Sequence, residues 1–246
     1  MNREDVMSQT SVGTALHSSS SAYTTRAFWE RLWRAAGIQA VGLFVLGYAI
    51  YGFQPQVGAS PEALTAFYGG NAARILIASV FFGLAILNLM WFAAALRTTL
   101  ADAGQDGWGA AASAASSAVG VLFLLVVTLA AGLAYSIAGA GSAALTSGLN
   151  DLMWAVLVLS SFPRAMLTMS AAFGLWRAER ISNALFAVGV AAVVLTLAGG
   201  TTWMNDGVWA PDGAYSRFVS PLIGIAWALV VSRVLLTKTP ATRTGW

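Results

Sequence analysis

One formally charged side chain, Arg164, lies deep inside an apolar stretch of this chain. The stretch is residues 150–176, NDLMWAVLVLSSFPRAMLTMSAAFGLW. It is long enough to cross a bilayer as one helix, at about 1.5 Å per residue over a hydrocarbon core of about 30 Å. A central arginine costs about 2.5–3.5 kcal/mol on insertion scales, so something must compensate it. Ser160, Arg164 and Thr168 fall at i, i+4 and i+8, with Ser161 beside them, which makes a polar stripe on one helix face. Pro163 withdraws a backbone donor and predicts a kink there. The chemistry open to this stripe is recognition of an anion, a carboxylate or a lipid headgroup. The competing reading is a buried arginine satisfied by carbonyls and hydroxyls of neighbouring helices. Asn88 is the other deep polar side chain of note, either an interhelical hydrogen-bond partner or a ligand contact.

A second group of polar residues collects in the loops and helix starts on one side. Its candidates are Asp151, Trp154, Arg74 and Asp206, with Glu62, Tyr68, Asn71, Asn150, Trp203, Asn205, Trp209 and Asp212 around them. Aromatic rings beside carboxylates suit a small polar or cationic solute. The same residues also suit an interfacial aromatic belt, with Asn150 or Asp151 capping a helix and ion pairs to Arg74 and Arg217.

Other chemistries are excluded by what the chain lacks. It has no cysteine and one histidine, His17. Thiolate metal sites, cysteine nucleophiles, two-histidine haem ligation and an H-E-x-x-H zinc site are therefore ruled out. No metal and no cofactor is expected. No acidic side chain lies deep in an apolar segment, which argues against a proton relay. No glycine pattern matches a nucleotide-binding loop. The net charge is +3, but the 13 basic residues are scattered between apolar runs, so no nucleic-acid partner is expected.

The elements that must position these residues are membrane helices. The chain is 58% hydrophobic and 9% charged, against roughly 25% charged in soluble domains. The reading is an all-α bundle of six spans over residues 25–237, near 35–53, 72–96, 110–138, 150–176, 183–200 and 218–236. A polar tail, residues 1–24, precedes it, and a short basic tail, 238–246, follows. RAFWERLWR, residues 26–34, reads as an interfacial lead-in helix continuous with the first span. Ser60-Pro61-Glu62 suits the start of a short helix between spans one and two. Residues 101–109 and 139–149 read as glycine-rich or small-residue loops. Gly109, Ser113, Ser116, Ser117 and Gly120 give span three a small-residue face for close helix packing inside the monomer.

Orientation follows from basic residues in short loops. With the N-terminus inside, Arg26, Arg31, Arg34, Arg97, Arg177, Arg180, Arg233, Lys238 and Arg243 are cytoplasmic, and only Arg74 and Arg217 are outside. Both termini are expected to be cytoplasmic, in a multi-pass protein of the cell membrane.

The segment ASPEALTAFYGGNAARILIASVFFGLA, together with DLMW and SFPRAMLTMSAAFGLWR, resembles an uncharacterised bacterial family of six-span integral membrane proteins, a domain of unknown function. The resemblance covers most of residues 35–236 through loose motifs. It implies six helices and a cytoplasmic-membrane location, and it transfers no functional residue.

The functional expectation is a non-enzymatic membrane module binding a lipid, a small amphiphile or a partner membrane protein, with a homo-oligomer among the partners considered. The alternative is a carrier of a small anionic solute using Arg164. A lipid-modifying enzyme comes third, because Asp151 and Asp206 have no evident nucleophile or positioned partner.

Overall fold

The computed structural model describes residue 29 and residues 31–237. The polar tail, the basic tail and most of the 26–34 lead-in lie outside the described residues. Among those described, every regular element is helical. They are α1 (Ala36–Tyr51), α2 (Pro61–Tyr68), α3 (Ala72–Asp102), α4 (Asp106–Gly132), α5 (Ala143–Leu159), α6 (Ser161–Arg177), α7 (Asn183–Ala198) and α8 (Ser220–Thr237). Residues 31–34 are also helical and run into α1 through Ala35, whose N–H donates to the Arg31 carbonyl at 2.9 Å.

Five helical segments are long and apolar enough to cross a membrane: Ala72–Asp102, Asp106–Ala140, Ala143–Arg177, Asn183–Thr201 and Tyr215–Thr237. The shorter α1 has 16 residues, or about 24 Å of helix. The chain is a multi-pass helical membrane protein. Val80, Val121, Val188, Val194 and Leu222 stand exposed on the outside of the bundle, where water would penalise them and lipid would not.

The helices close into a ring. α1 packs on α3, α3 on α4, α4 on α5 and α6, α6 on α7, α7 on α8, and α8 back on α1. The end of the ring away from α2 is filled by Ala36, Phe92, Leu96, Leu175, Trp227 and Val231. At the opposite end, α2 lays Leu64 and Tyr68 against Ile75, Leu133 and Met153. The start of α2 is built as its sequence dictates. Ser60 Oγ accepts from the Ala63 N–H at 3.3 Å, Pro61 takes the first position, and Glu62 lies in the first turn.

Several boundaries differ from those read in the sequence. The span expected at 150–176 begins at Ala143, so the linker expected at 139–149 shrinks to Gly141 and Ser142. The alanines and leucines after Ser142 favour helix, and only Gly141, at φ +79°, needs a turn conformation. The loop expected at 101–109 is three residues long, because α3 runs to Asp102 and α4 starts at Asp106. Gly109 belongs to the helix. A methyl group there would meet the Arg97 carbonyl oxygen at 3.1 Å, so its role is close approach of α4 to α3. Ser116 Oγ donates across the same contact to the Leu89 carbonyl at 3.4 Å.

The sequence predicts a kink at Pro163, and the helix is interrupted at Ser160, three residues before it. Proline at 163 cannot donate to the Leu159 carbonyl, so the helix loosens one turn upstream of the ring. The Ser160 N–H still donates to Val156 O at 2.8 Å and the Arg164 N–H to Ser160 O at 3.1 Å. α5 therefore runs into α6 with only Ser160 between them.

Candidate functional site

The ring encloses a cavity of about 290 Å³, at the small end of the range for ligand pockets. Every member of the ring contributes to its wall. It reaches from Gly37 to Tyr51 along α1 and from Trp154 to Thr168 along α5 and α6, about 20 Å in each case. Phe44, Phe82, Ile86, Phe123 and Val126 make most of the wall apolar. Among the described residues no Asp or Glu lines it, whereas Arg164 and Arg217 both do.

Arg164 reaches this cavity because helix side chains lean toward the N-terminus. Its guanidinium turns back one turn, where Nη2 donates to Ser161 Oγ at 2.7 Å and Nε to the Ser160 carbonyl at 3.3 Å. Thr168 also lines the cavity, and its hydroxyl donates to the Arg164 carbonyl at 2.9 Å. Ser160 itself is buried behind the wall and donates to Leu157 O at 2.6 Å. The stripe read from the sequence thus separates. Ser161, Arg164 and Thr168 face the cavity, and Ser160 supplies a carbonyl from behind.

Across from Ser161 lies Ser220 on α8. A methyl group placed on Gly199 would stand 2.8 Å from Ser161 Oγ and 2.9 Å from Ser220 Oγ, so the two hydroxyls flank one narrow cleft. Arg217 is one turn before Ser220. Its Nη2 donates to the Gln54 carbonyl at 3.4 Å, and its Cζ lies 5.2 Å from the centroid of a Trp154 ring. Among the described residues, neither Arg164 nor Arg217 has a carboxylate partner. Five buried polar atoms of lining residues have no hydrogen-bond partner there either: Tyr51 Oη, Gln54 Nε2, Arg217 Nε, Ser220 Oγ and Trp227 Nε1. Such groups cost stability unless something meets them.

Asn88 lies outside the cavity wall. Its Nδ2 donates to the Leu84 carbonyl of its own helix at 2.9 Å, so it bridges no helices.

The second polar group is also divided. Trp154 lines the cavity, and its indole donates to the Pro55 carbonyl at 2.9 Å. Asp151 accepts from the Gly58 N–H at 3.2 Å and from Asn150 Nδ2 at 3.3 Å. Arg74 is exposed, with its Cζ 5.8 Å from the Phe67 ring centroid. Asp206 is exposed in the loop after α7. The ion pairs considered for Arg74 and Arg217 are replaced by ring faces, because the nearby carboxylates are taken up by backbone N–H groups.

Those N–H groups belong to residues 54–58, which cross the α2 end of the ring as a strap. Asn150 holds its centre. This side chain is fully buried inside α5, where it accepts from Tyr68 Oη at 2.9 Å and donates to the Gln56 carbonyl at 3.1 Å. Asp212 accepts from the Val57 N–H at 3.3 Å. The sequence offers Asn150 or Asp151 as a helix cap, and neither caps α5, which starts at Ala143. The real role of Asn150 depends on α5 beginning seven residues earlier. Burial pushes the Tyr68 hydroxyl well above the usual tyrosine range, so it remains a donor. Hydrogen bonds from its own backbone N–H and from Ser60 hold the Glu62 carboxyl below the usual carboxylate range.

Among the described residues, no three His, Cys, Asp or Glu side chains gather where a metal ion could be held. No known protein family, curated protein or solved structure matches the chain. The resemblance drawn from the sequence therefore stands on its motifs alone.

Proposed function

We propose that this chain is a non-enzymatic, six-span protein of the cell membrane that binds a small amphiphile in its central cavity. The supporting observation is the cavity itself: a mostly apolar space about 20 Å long, walled by every helix of the ring. Each methylene buried there contributes about 0.8 kcal/mol. Catalysis would need a positioned base or nucleophile, and among the described residues the wall holds no acid, histidine or cysteine. A carrier of a small hydrophilic anion would use Arg164, but a mostly apolar wall is a poor match for a hydrated solute.

The sixth span in this reading is α1 with the helical residues 31–34 ahead of it, 21 residues in all, or about 31 Å. Arg97, Arg177, Arg180 and Arg233 lie toward the end away from α2, which makes that end cytoplasmic. Reporter fusions at Gly141 and Gly207 should then be active outside, and fusions at Gly104 and Glu179 inside. The binding claim is tested by native mass spectrometry of protein released from a mild detergent. One retained adduct of amphiphile mass supports it, and a bare chain under conditions that retain bound lipid in a control protein counts against it.

A further inference from the structure

We infer that the ligand is a single-chain amphiphile with an anionic head, a carboxylate or a phosphate, held between Arg164 and Arg217 with its chain toward Trp227. This rests on the cavity-binding reading above. Two guanidinium groups line a mostly apolar space that holds no carboxylate among the described residues. Burying uncompensated charge is costly, and an anion placed between them relieves that cost. The donors are already arranged for it. Arg164 turns toward Ser161, Ser161 and Ser220 flank the cleft beside Gly199, and Arg217 stands one turn above Ser220.

Ser220 is the independent sign. It is 1% exposed, lines the cavity, and its hydroxyl has no partner among the described residues. Arg217 Nε is likewise buried and unpaired. Both are donors, which is what carboxylate and phosphate oxygens need. The head is placed toward the α2 end because both arginines lie on that side of Trp227. Ser220 precedes Trp227 by seven residues on α8, about 10 Å. Between them the wall is formed by Pro221, Gly224 and Ile225. The cavity volume of about 290 Å³ leaves space for one narrow chain, so a two-chain phospholipid is not the occupant.

The test uses ω-bromododecanoate and ω-bromododecanol, whose terminal bromine quenches nearby tryptophan. The protein is reconstituted in nanodiscs of neutral lipid. The acid should bind more tightly than the alcohol. Arg164→Gln and Arg217→Gln should each weaken the acid about tenfold or more while leaving the alcohol unchanged. Quenching should vanish in Trp227→Phe and persist in Trp154→Phe. Dodecyl phosphate should displace the acid, and the tighter of dodecyl phosphate and dodecanoate identifies the head. Excess dioleoyl phosphatidylglycerol should not displace it.

Equal binding of acid and alcohol to the wild type would overturn the anionic head and leave the cavity reading intact. Equal losses for both probes in the arginine variants would reduce those residues to structural roles. Quenching carried by Trp154 would overturn the chain direction, and displacement by the phospholipid would overturn the single chain. Failure of both probes to bind would overturn this inference together with the cavity reading.

Discussion

Replacing Asn150 with leucine removes the centre of the strap that crosses the α2 end of the ring. The side chain is fully buried and serves two partners, the buried Tyr68 hydroxyl at 2.9 Å and the carbonyl of the exposed Gln56 at 3.1 Å. Leucine keeps the branching and the number of side-chain heavy atoms, so orphaned polar groups carry much of the cost. The buried Tyr68 hydroxyl costs about 1–3 kcal/mol when left unsatisfied, and the Gln56 carbonyl adds less because its residue is exposed, which gives about 2–3 kcal/mol for the pair. Asp151 is less affected, because it keeps the Gly58 N–H. Tyr68→Phe orphans only Asn150 Oδ1 and should cost about 1–2 kcal/mol. The double variant should cost less than the sum of the two, with a coupling of about 1 kcal/mol. Unfolding by sodium dodecyl sulfate in mixed micelles measures all three. Amide exchange at Val57 and Gly58 reads the strap directly and should accelerate in Asn150→Leu. An effect under about 0.5 kcal/mol, with unchanged exchange, would refute the argument that Asn150 holds the strap.

Other substitutions probe the site from different sides. Arg164→Leu should insert and keep or raise thermal stability while losing binding of ω-bromododecanoate, because the change lowers the insertion cost; a large drop in melting temperature would instead mark a structural arginine. Gly199→Ala should cost about 1–3 kcal/mol by overpacking, since the new methyl meets Ser161 Oγ and Ser220 Oγ under 3.0 Å; a melting curve checks it. The Glu62 carboxyl should titrate below its ordinary value of about 4.3 in a carbon NMR titration, as its hydrogen bonds require. Its folded pKa is depressed, so its contribution to α2 is complete above the unfolded value and is lost as pH falls through the folded one. Ser60→Ala should move it back toward the ordinary value.

The membrane helices were legible because hydropathy is a property of long stretches. The all-α architecture and the start of α2 follow from local residue types, and Ser60, Pro61 and Glu62 sit where their chemistry puts them. The boundaries near Gly109 and Gly141 were harder. A glycine that ends a helix and one that lets two helices touch look alike in a sequence, and only the neighbouring backbone distinguishes them. Arg164 was visible as a lone charge in an apolar run. Arg217 and Ser220 were not, because they reach the cavity only through the closure of α8 onto α1 and α7. Asn88 looked like an interhelical contact for the converse reason. A polar side chain in a span can satisfy one of its donors on its own helix, as it does at Leu84.

The cavity account is tested most directly by filling the space. Gly224 lines the cavity, and a methyl group placed there meets no atom within 4 Å. Gly224→Phe should therefore put its ring into open volume and leave the fold intact. The measurement is the binding isotherm of ω-bromododecanoate, read through tryptophan quenching, for wild type and Gly224→Phe in the same nanodiscs. The account predicts saturable binding to the wild type and at least a tenfold weaker isotherm for the variant, with melting temperature unchanged or raised. Equal binding by the two proteins, or no saturable binding by the wild type, would contradict it.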